Sequence, residues 1–184
     1  VPLSPGWLRI MLEHLEHGRI GAVGPRLLFD DESIQHAGLY FARDRDGIWF
    51  NRHFSKGMPR LWPAAQQARD VPGITGAALM IRRSMYEKTS GISEDYIIGD
   101  YEDSDLCLKI RESGYSIRYA ADAELFHFER RSINLHTGYV RTHASLYNRI
   151  FHHDKWDAMI SDLMRRSPAL VVSKRQPIGQ MSQA

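Results

Sequence analysis

The chain has 184 residues, 43% hydrophobic and 25% charged, which supports one domain with its own core and excludes a disordered or fibrous composition. Lys plus Arg number 24 against 22 Asp plus Glu, a formal charge of +2, and that balance argues against a dedicated nucleic-acid binder. A lone cysteine, Cys107, excludes an internal disulfide framework and an all-cysteine metal site.

In chain order, VPLSPGW is turn-rich, with Ser4 placed to cap a helix and Pro5 at its first position. Trp7, Leu8, Met11, Leu12 and Leu15 recur at helical spacing until Gly18 stops them. Ile20–Pro25 and Leu27–Phe29 read as a buried strand and its exit, Asp30–Ser33 as a polar turn, and Ile34–Phe41 as a short strand. Residues 43–69 read as an irregular loop in which Gly47, Gly57, Pro59 and Pro63 interleave with Trp49, Phe50, His53, Phe54 and Trp62. Long aromatic loops of this kind bind more often than they merely connect.

Order returns at Val71–Ile81, where Gly73 and Gly76 permit close backbone approach and Ala77–Ile81 reads as a buried strand. Arg82–Lys88 is a short helix closed near Gly91, followed by the acidic segment SEDYIIGDYEDSD. Asp105–Ser113 is helical up to Gly114. Tyr115, Ile117 and Tyr119 alternate as a strand, and Leu125–Glu129 reads as the next one. The expected domain is 1–166, with a loosely ordered tail over 167–184. No apolar run approaches the roughly 18 residues of a spanning helix. Val1–Gly6 lacks a signal peptide's basic start, so the expected compartment is the cytoplasm.

Chemistry concentrates in Asp100–Asp105, which holds Asp100, Glu102, Asp103 and Asp105. Asp103, Leu106, Cys107 and Ile110 share one helical face, which sets Asp103 at the rim of a buried stripe, while Asp105 can pair with Lys109. Capping explains one or two carboxylates at a helix start; metal binding and general-base work are both open for the rest. His127, alternating with Phe126 and Phe128, suits either a metal ligand or a satisfied core imidazole, and His152–His153 reads as surface. Arg130, Arg131, Arg141 and Arg149 match a diphosphate in charge and geometry, or form charged surface. Trp156, Met159 and Leu163 among basic residues fit an amphipathic helix on anionic lipid.

Taken in order, GAVGPRLLFDDESIQHAGLYF, VPGITGAALMIRRSMYEKTSGISEDY and GDYEDSDLCLKIRESGYSIRYAADAELFHFE closely resemble family-two glycosyltransferases of the GT-A fold. The bacterial rhamnosyltransferase-like enzymes that build cell-surface polysaccharide are the subgroup in view. The resemblance runs from Trp7 to about Glu129 and continues more weakly through Asn148–Trp156. It implies an α/β fold, a partial GT-A (nucleotide-diphospho-sugar transferase) domain. The implied reaction moves a sugar, with inversion, from a nucleotide diphosphate-sugar donor to a polysaccharide or lipid-linked glycan acceptor.

On the same resemblance Asp103 is the general base and Glu102 shares that role or positions the acceptor. Thr75, Gly76 and Ala77 line the donor-sugar and acceptor pocket together with Asp100. His127 completes a Mn²⁺ or Mg²⁺ site on the diphosphate, Arg130 and Arg131 are the candidate diphosphate contacts, and Trp49 and Trp62 face the acceptor. The family's uridine-binding strands and aspartate-rich metal motif lie upstream of the helix that starts near Ser4. The resemblance therefore implies an acceptor-side portion lacking its nucleotide-binding half and inactive by itself. Peripheral contact with the inner face of the cell membrane and a homo-oligomer covering exposed strand edges accompany that expectation. Two rivals stand beside it: a non-catalytic glycan- or protein-binding module of the same fold, and a metal-dependent phosphate enzyme using Asp100, Asp103, Asp105 and His127.

Overall fold

Helix α1 (Trp7–Glu16) buries Met11 and Leu15, one turn apart, against a sheet. Its N-cap is Gly6 in the left-handed region at φ 71°, not Ser4; the Ser4 hydroxyl instead accepts from the Glu124 amide at 3.0 Å. The sheet is built on β1 (Ile20–Leu28), buried along all nine residues, as a strand covered on both faces must be. The two sequence pieces expected there are thus one strand. The computed structural model describes residues 1–128 and 143–166.

β1 runs parallel to β7 (Ser116–Phe126), with register shifts after Ile20 and after Pro25. β2 (Ile34–His36) and β6 (Met80–Ile81) pair antiparallel with opposite ends of β1, and β5 (Arg69–Asp70) pairs antiparallel with β7. The order is β2-β1-β7-β5, with β6 on β1. β7 unites the two strands expected over 115–129. Only Met80 and Ile81 of the strand expected at 77–81 are extended, because Gly76 and Ala77 turn outward into solvent.

Ile34–Phe41 is divided by Gly38, whose φ of 98° excludes an ordinary side chain and whose Cβ would lie 2.7 Å from Val71. Beyond that break β3 (Leu39–Arg43) forms a hairpin with β4 (Trp49–His53). The first part of the loop expected over 43–69, through His53, is therefore a hairpin, while most of the stretch from Phe54 to Ala68 is irregular. Asp44 closes its turn, Oδ1 accepting from the Asp46 and Ile48 amides at 2.9 Å, and Gly47 takes φ 81°. The hairpin is tied to the main sheet by a 2.9 Å contact between the Nδ1 atoms of His36 and His53.

Helix α2 (Arg83–Lys88) leads to the acidic segment and to α3 (Glu102–Glu112). α3 lies across the sheet face opposite α1, with Leu106, Cys107 and Ile110 packed among Ala22, Ile74, Ile117 and Tyr119. Its other side presents Leu108 to a second cluster with Phe41, Trp49, Trp156 and Ile160. The last two come from α4 (His143–Arg166), so Trp156 is an interior residue, and Met159 and Leu163 pack against the same cluster instead of facing lipid. Among the described residues no helix is long and apolar enough to cross a membrane.

Candidate functional site

The acidic segment enters α3 through an unusual backbone path. Ile98, Asp100 and Tyr101 take φ of 67°, 68° and 76°, and Tyr101 is the N-cap without a side-chain cap bond. The helix starts at Glu102, three residues earlier than its apolar spacing indicates, and Glu102, Asp103 and Asp105 fill its first turn. Carboxylates there face the positive end of the helix dipole.

One stripe of α3 then grips the loop that precedes β6. Asp103 Oδ2 accepts from the Gly76 amide at 3.0 Å, and Oδ1 accepts from the Ser104 amide at 2.6 Å. One turn on, Cys107 Sγ accepts from the Ile74 amide at 3.4 Å and donates to the Ile74 carbonyl at 3.6 Å. Another turn on, Arg111 donates to the Pro72 carbonyl at 2.9 Å and to that of Val71. Residues 103, 107 and 111 thus hold the backbone of 71–76 at successive helical turns. Burial pushes the Asp103 carboxyl above the ordinary carboxylate range, against the Gly76 and Ser104 amides and the Thr75 side chain, with Asp100 adding to the rise. Glu102 is pushed the same way by burial, then by the neighbouring Asp103 charge and by Asp100.

A second stripe, on α4, holds the acidic segment from behind. Asn148 Nδ2 donates to the Ile97 carbonyl at 2.9 Å and the Gly99 carbonyl at 2.6 Å, and Oδ1 accepts from the Ile97 amide at 2.9 Å. His152 Nε2 lies 3.0 Å from Ser104 Oγ, and Trp156 Nε1 donates to Asp105 Oδ1 at 2.7 Å. Asp105, fully buried, also pairs with Lys155 at 2.7 Å and Lys109 at 3.0 Å and accepts from the Tyr96 hydroxyl at 3.1 Å. Its carboxyl is desolvated, yet Lys155, Trp156 and Lys109 hold it below the ordinary range. The expected Asp105–Lys109 pair forms; the surface position expected for His152 does not, since the imidazole is fully buried and brought down to about 4, chiefly by burial. Asn148, His152, Trp156 and Ile160 are the buried residues of α4 and recur every four positions. That period was the available signal for this rear support.

Of the other candidates, Thr75 and Gly76 stand at Asp103, while Ala77 is exposed and donates its amide to Thr75 Oγ1 at 3.4 Å. Asp100 lies exposed at the rim. Trp49 is buried in the hairpin cluster, its indole donating to Asp157 at 2.8 Å with Arg43 stacked on the ring. Trp62 is half-buried against the main core. His127 Nδ1 lies 2.7 Å from Gln35 Oε1, and Gln35 Nε2 donates to the His127 carbonyl at 3.1 Å. Among the described residues, no three His, Cys, Asp or Glu side chains converge as a metal site, so these residues do not by themselves fit the divalent ion that the sequence resemblance implies. Arg130, Arg131 and Arg141, with the tail at 167–184, lie outside the described residues. Arg149 forms an ion pair with Asp44.

No protein-family model matches the sequence. The protein y4gI of Sinorhizobium fredii (strain NBRC 101917 / NGR234) is 29% identical over 138 residues, covering 71% of this chain and 14% of that protein. The O-antigen biosynthesis protein RfbC of Myxococcus xanthus is 26% identical over 131 residues, covering 71% of this chain and 10% of its own. The chain therefore spans about a seventh or less of these two curated relatives. Rv1525 of Mycobacterium tuberculosis (strain ATCC 25618 / H37Rv) is 35% identical over 78 residues, 41% of this chain and 30% of that protein. Among solved structures, GalNAc-T7 with UDP, GalNAc and Mn²⁺ superposes with a TM-score of 0.58 at 16% identity, covering 96% of this chain and 33% of its own. The mixed α/β fold of this chain is structurally related to a GT-A-fold glycosyltransferase.

Proposed function

We propose that this chain is a glycan-binding portion of a glycosyltransferase-type fold, with its ligand surface at the start of α3 and the adjoining 73–78 loop. The carrying observation is that both oxygens of Asp103 accept backbone amides, from Gly76 and Ser104. Used in this way the carboxylate shapes a surface. Asp100 and Glu102 at its rim offer acceptors for sugar hydroxyls, and Ala77 and Gly76 leave the approach open. The printed role of the Myxococcus xanthus relative in O-antigen biosynthesis supports a bacterial surface polysaccharide as the ligand class.

A second reading is favoured by the upward displacement of the Asp103 and Glu102 carboxyls. Here Asp103 is the general base of an inverting transfer in the whole protein. It takes the proton from an acceptor hydroxyl while that oxygen attacks the sugar carbon opposite the departing nucleotide diphosphate. A base held above its ordinary range is better matched to neutral pH. The transfer is a property of the whole protein, with a nucleotide diphosphate-sugar as donor and a glycan or lipid-linked glycan as acceptor.

One paired experiment separates the readings. Binding of bacterial surface glycans is measured by calorimetry for the wild type and for Glu102→Gln and Asp103→Asn, beside nucleotide diphosphate release from UDP-, dTDP- and GDP-sugars with Mn²⁺. The binding reading expects affinity that falls about tenfold in Glu102→Gln, with no release even from the full-length protein. Acceptor-stimulated release that disappears in Asp103→Asn transfers the conclusion to catalysis.

A further inference from the structure

The carboxylates at the start of α3 ride on a backbone that these residue types do not adopt unaided. Ile98 is β-branched, in the left-handed region at φ 67°, and 82% exposed, so burial of its own side chain does not compensate the strain. Asp100 and Tyr101 repeat the left-handed conformation immediately afterwards. Asn148, 0% exposed, grips the segment on both sides of Ile98. Its amide mimics a strand partner, exchanging both hydrogen bonds with Ile97 and adding a third to the Gly99 carbonyl. The hydrogen bonds of His152 and Trp156 fall beyond the bend, on Ser104 and Asp105, where α3 already holds itself through the 2.8 Å bond from the Asp105 amide to the Tyr101 carbonyl. The His152 ring touches the bend only by packing against Tyr101, 5.1 Å between centroids, and Asn148 alone of the three bonds 97–99.

We infer that Asn148 is a positioning residue: by fixing 97–99 it sets the left-handed course of 98–101 and so the placement of Asp100, Glu102 and Asp103. Ligand geometry at the rim is then set by a residue of α4, while the docking of α4 itself rests on Trp156 and its apolar cluster. The inference deepens the binding reading and rests on it for its consequence, though not for its structural part.

The test is nuclear magnetic resonance on the 184-residue chain, with Asn148→Ala and with Asn148→Asp, which keeps the shape but faces a carboxylate toward two carbonyls. Expected in both are at least tenfold faster amide exchange at Ile97 and Gly99 and titration of Glu102 and Asp103 nearer the ordinary carboxylate range. The Trp156 indole signal, which reports the Asp105 contact, stays where it is. Unchanged exchange and titration in Asn148→Ala overturn the inference. So does a Trp156 signal lost together with them, because Asn148 would then merely hold α4 on. If either variant fails to fold, Asn148→Ser, with one donor and one acceptor, must give the same shifts at smaller amplitude. Glycan affinity measured on the same samples keeps the two ideas apart. Shifted carboxyls with affinity indifferent to both Asn148→Ala and Glu102→Gln leave the positioning role standing and remove the binding reading.

Discussion

Ile98 shows what a single residue gives up to hold the site. A non-glycine residue in the left-handed region costs about 1–2 kcal/mol, part of which glycine returns through its greater freedom when unfolded. Ile98→Gly is expected to raise the melting temperature by about 1–3 °C, read by differential scanning calorimetry, while weakening glycan binding by letting 97–101 wander. Asp103→Ala has the opposite sign. It removes the acceptor of the Gly76 and Ser104 amides, the first of them exposed, and urea unfolding should show a loss of about 0.5–1.5 kcal/mol. The position of Asp103 at the rim of an apolar stripe was legible because Leu106, Cys107 and Ile110 repeat at helical spacing. Its attachment to Gly76 was not, since no local pattern records which backbone a side chain will meet. Left-handed Ile98 and Tyr101 were also illegible, as their residue types argue against that conformation.

Elements were legible where glycine marks their ends and hidden where tertiary packing decides. α1 ends before Gly18, as its spacing indicates, and Gly114 at φ 83° follows α3. Most of β3 was read as strand, but β4 was read as loop because it is short and mixes aromatic with charged residues, although Asp46–Gly47 in the hairpin turn is a hairpin signal. Two predictions concern how elements meet. A Cβ at Gly24 would stand 2.8 Å from Ile74 Cγ2, so Gly24→Ala should cost about 1–3 kcal/mol in denaturant unfolding by forcing β1 from the 71–76 loop. Trp156→Phe keeps the ring in its cluster but removes the 2.7 Å bond to buried Asp105. A similar loss of about 1–3 kcal/mol is expected, with α4 the first element to lose exchange protection.

At the scale of the molecule, two imidazoles buried among the described residues, His36 and His152, shape the acid response. His36 is held well below the ordinary 6.5, first by burial and then by the charges of His53, Arg69, Lys56 and His127; His152 is brought to about 4. The unfolded chain takes up these protons near 6.5 and the folded chain does not, so stability is complete above that pH and declines as pH falls below it. For His152 the decline amounts to about 3 kcal/mol by the time its folded value is reached. Glu102 and Asp103 oppose it, since carboxyls held high in the folded state bind protons earlier there and add stability as pH falls through their folded values. Asp105 and Glu124, held low, give up their contributions only at still lower pH. Unfolding free energies between about pH 7 and pH 5 should therefore fall with acid, and His152→Gln should flatten the slope.

The relation to a GT-A fold was legible because ordered motifs along the chain preserve it, while the metal role expected of His127 has no converging partner among the described residues. The stripe of 103, 107 and 111 has a further consequence. These side chains hold the main chain of 71–76, but nothing in that grip consults the identity of residues 77 and 78. On the proposed binding reading, Ala77 and Ala78 are therefore exchangeable on an unaltered frame, so that sugar preference changes without a change of fold.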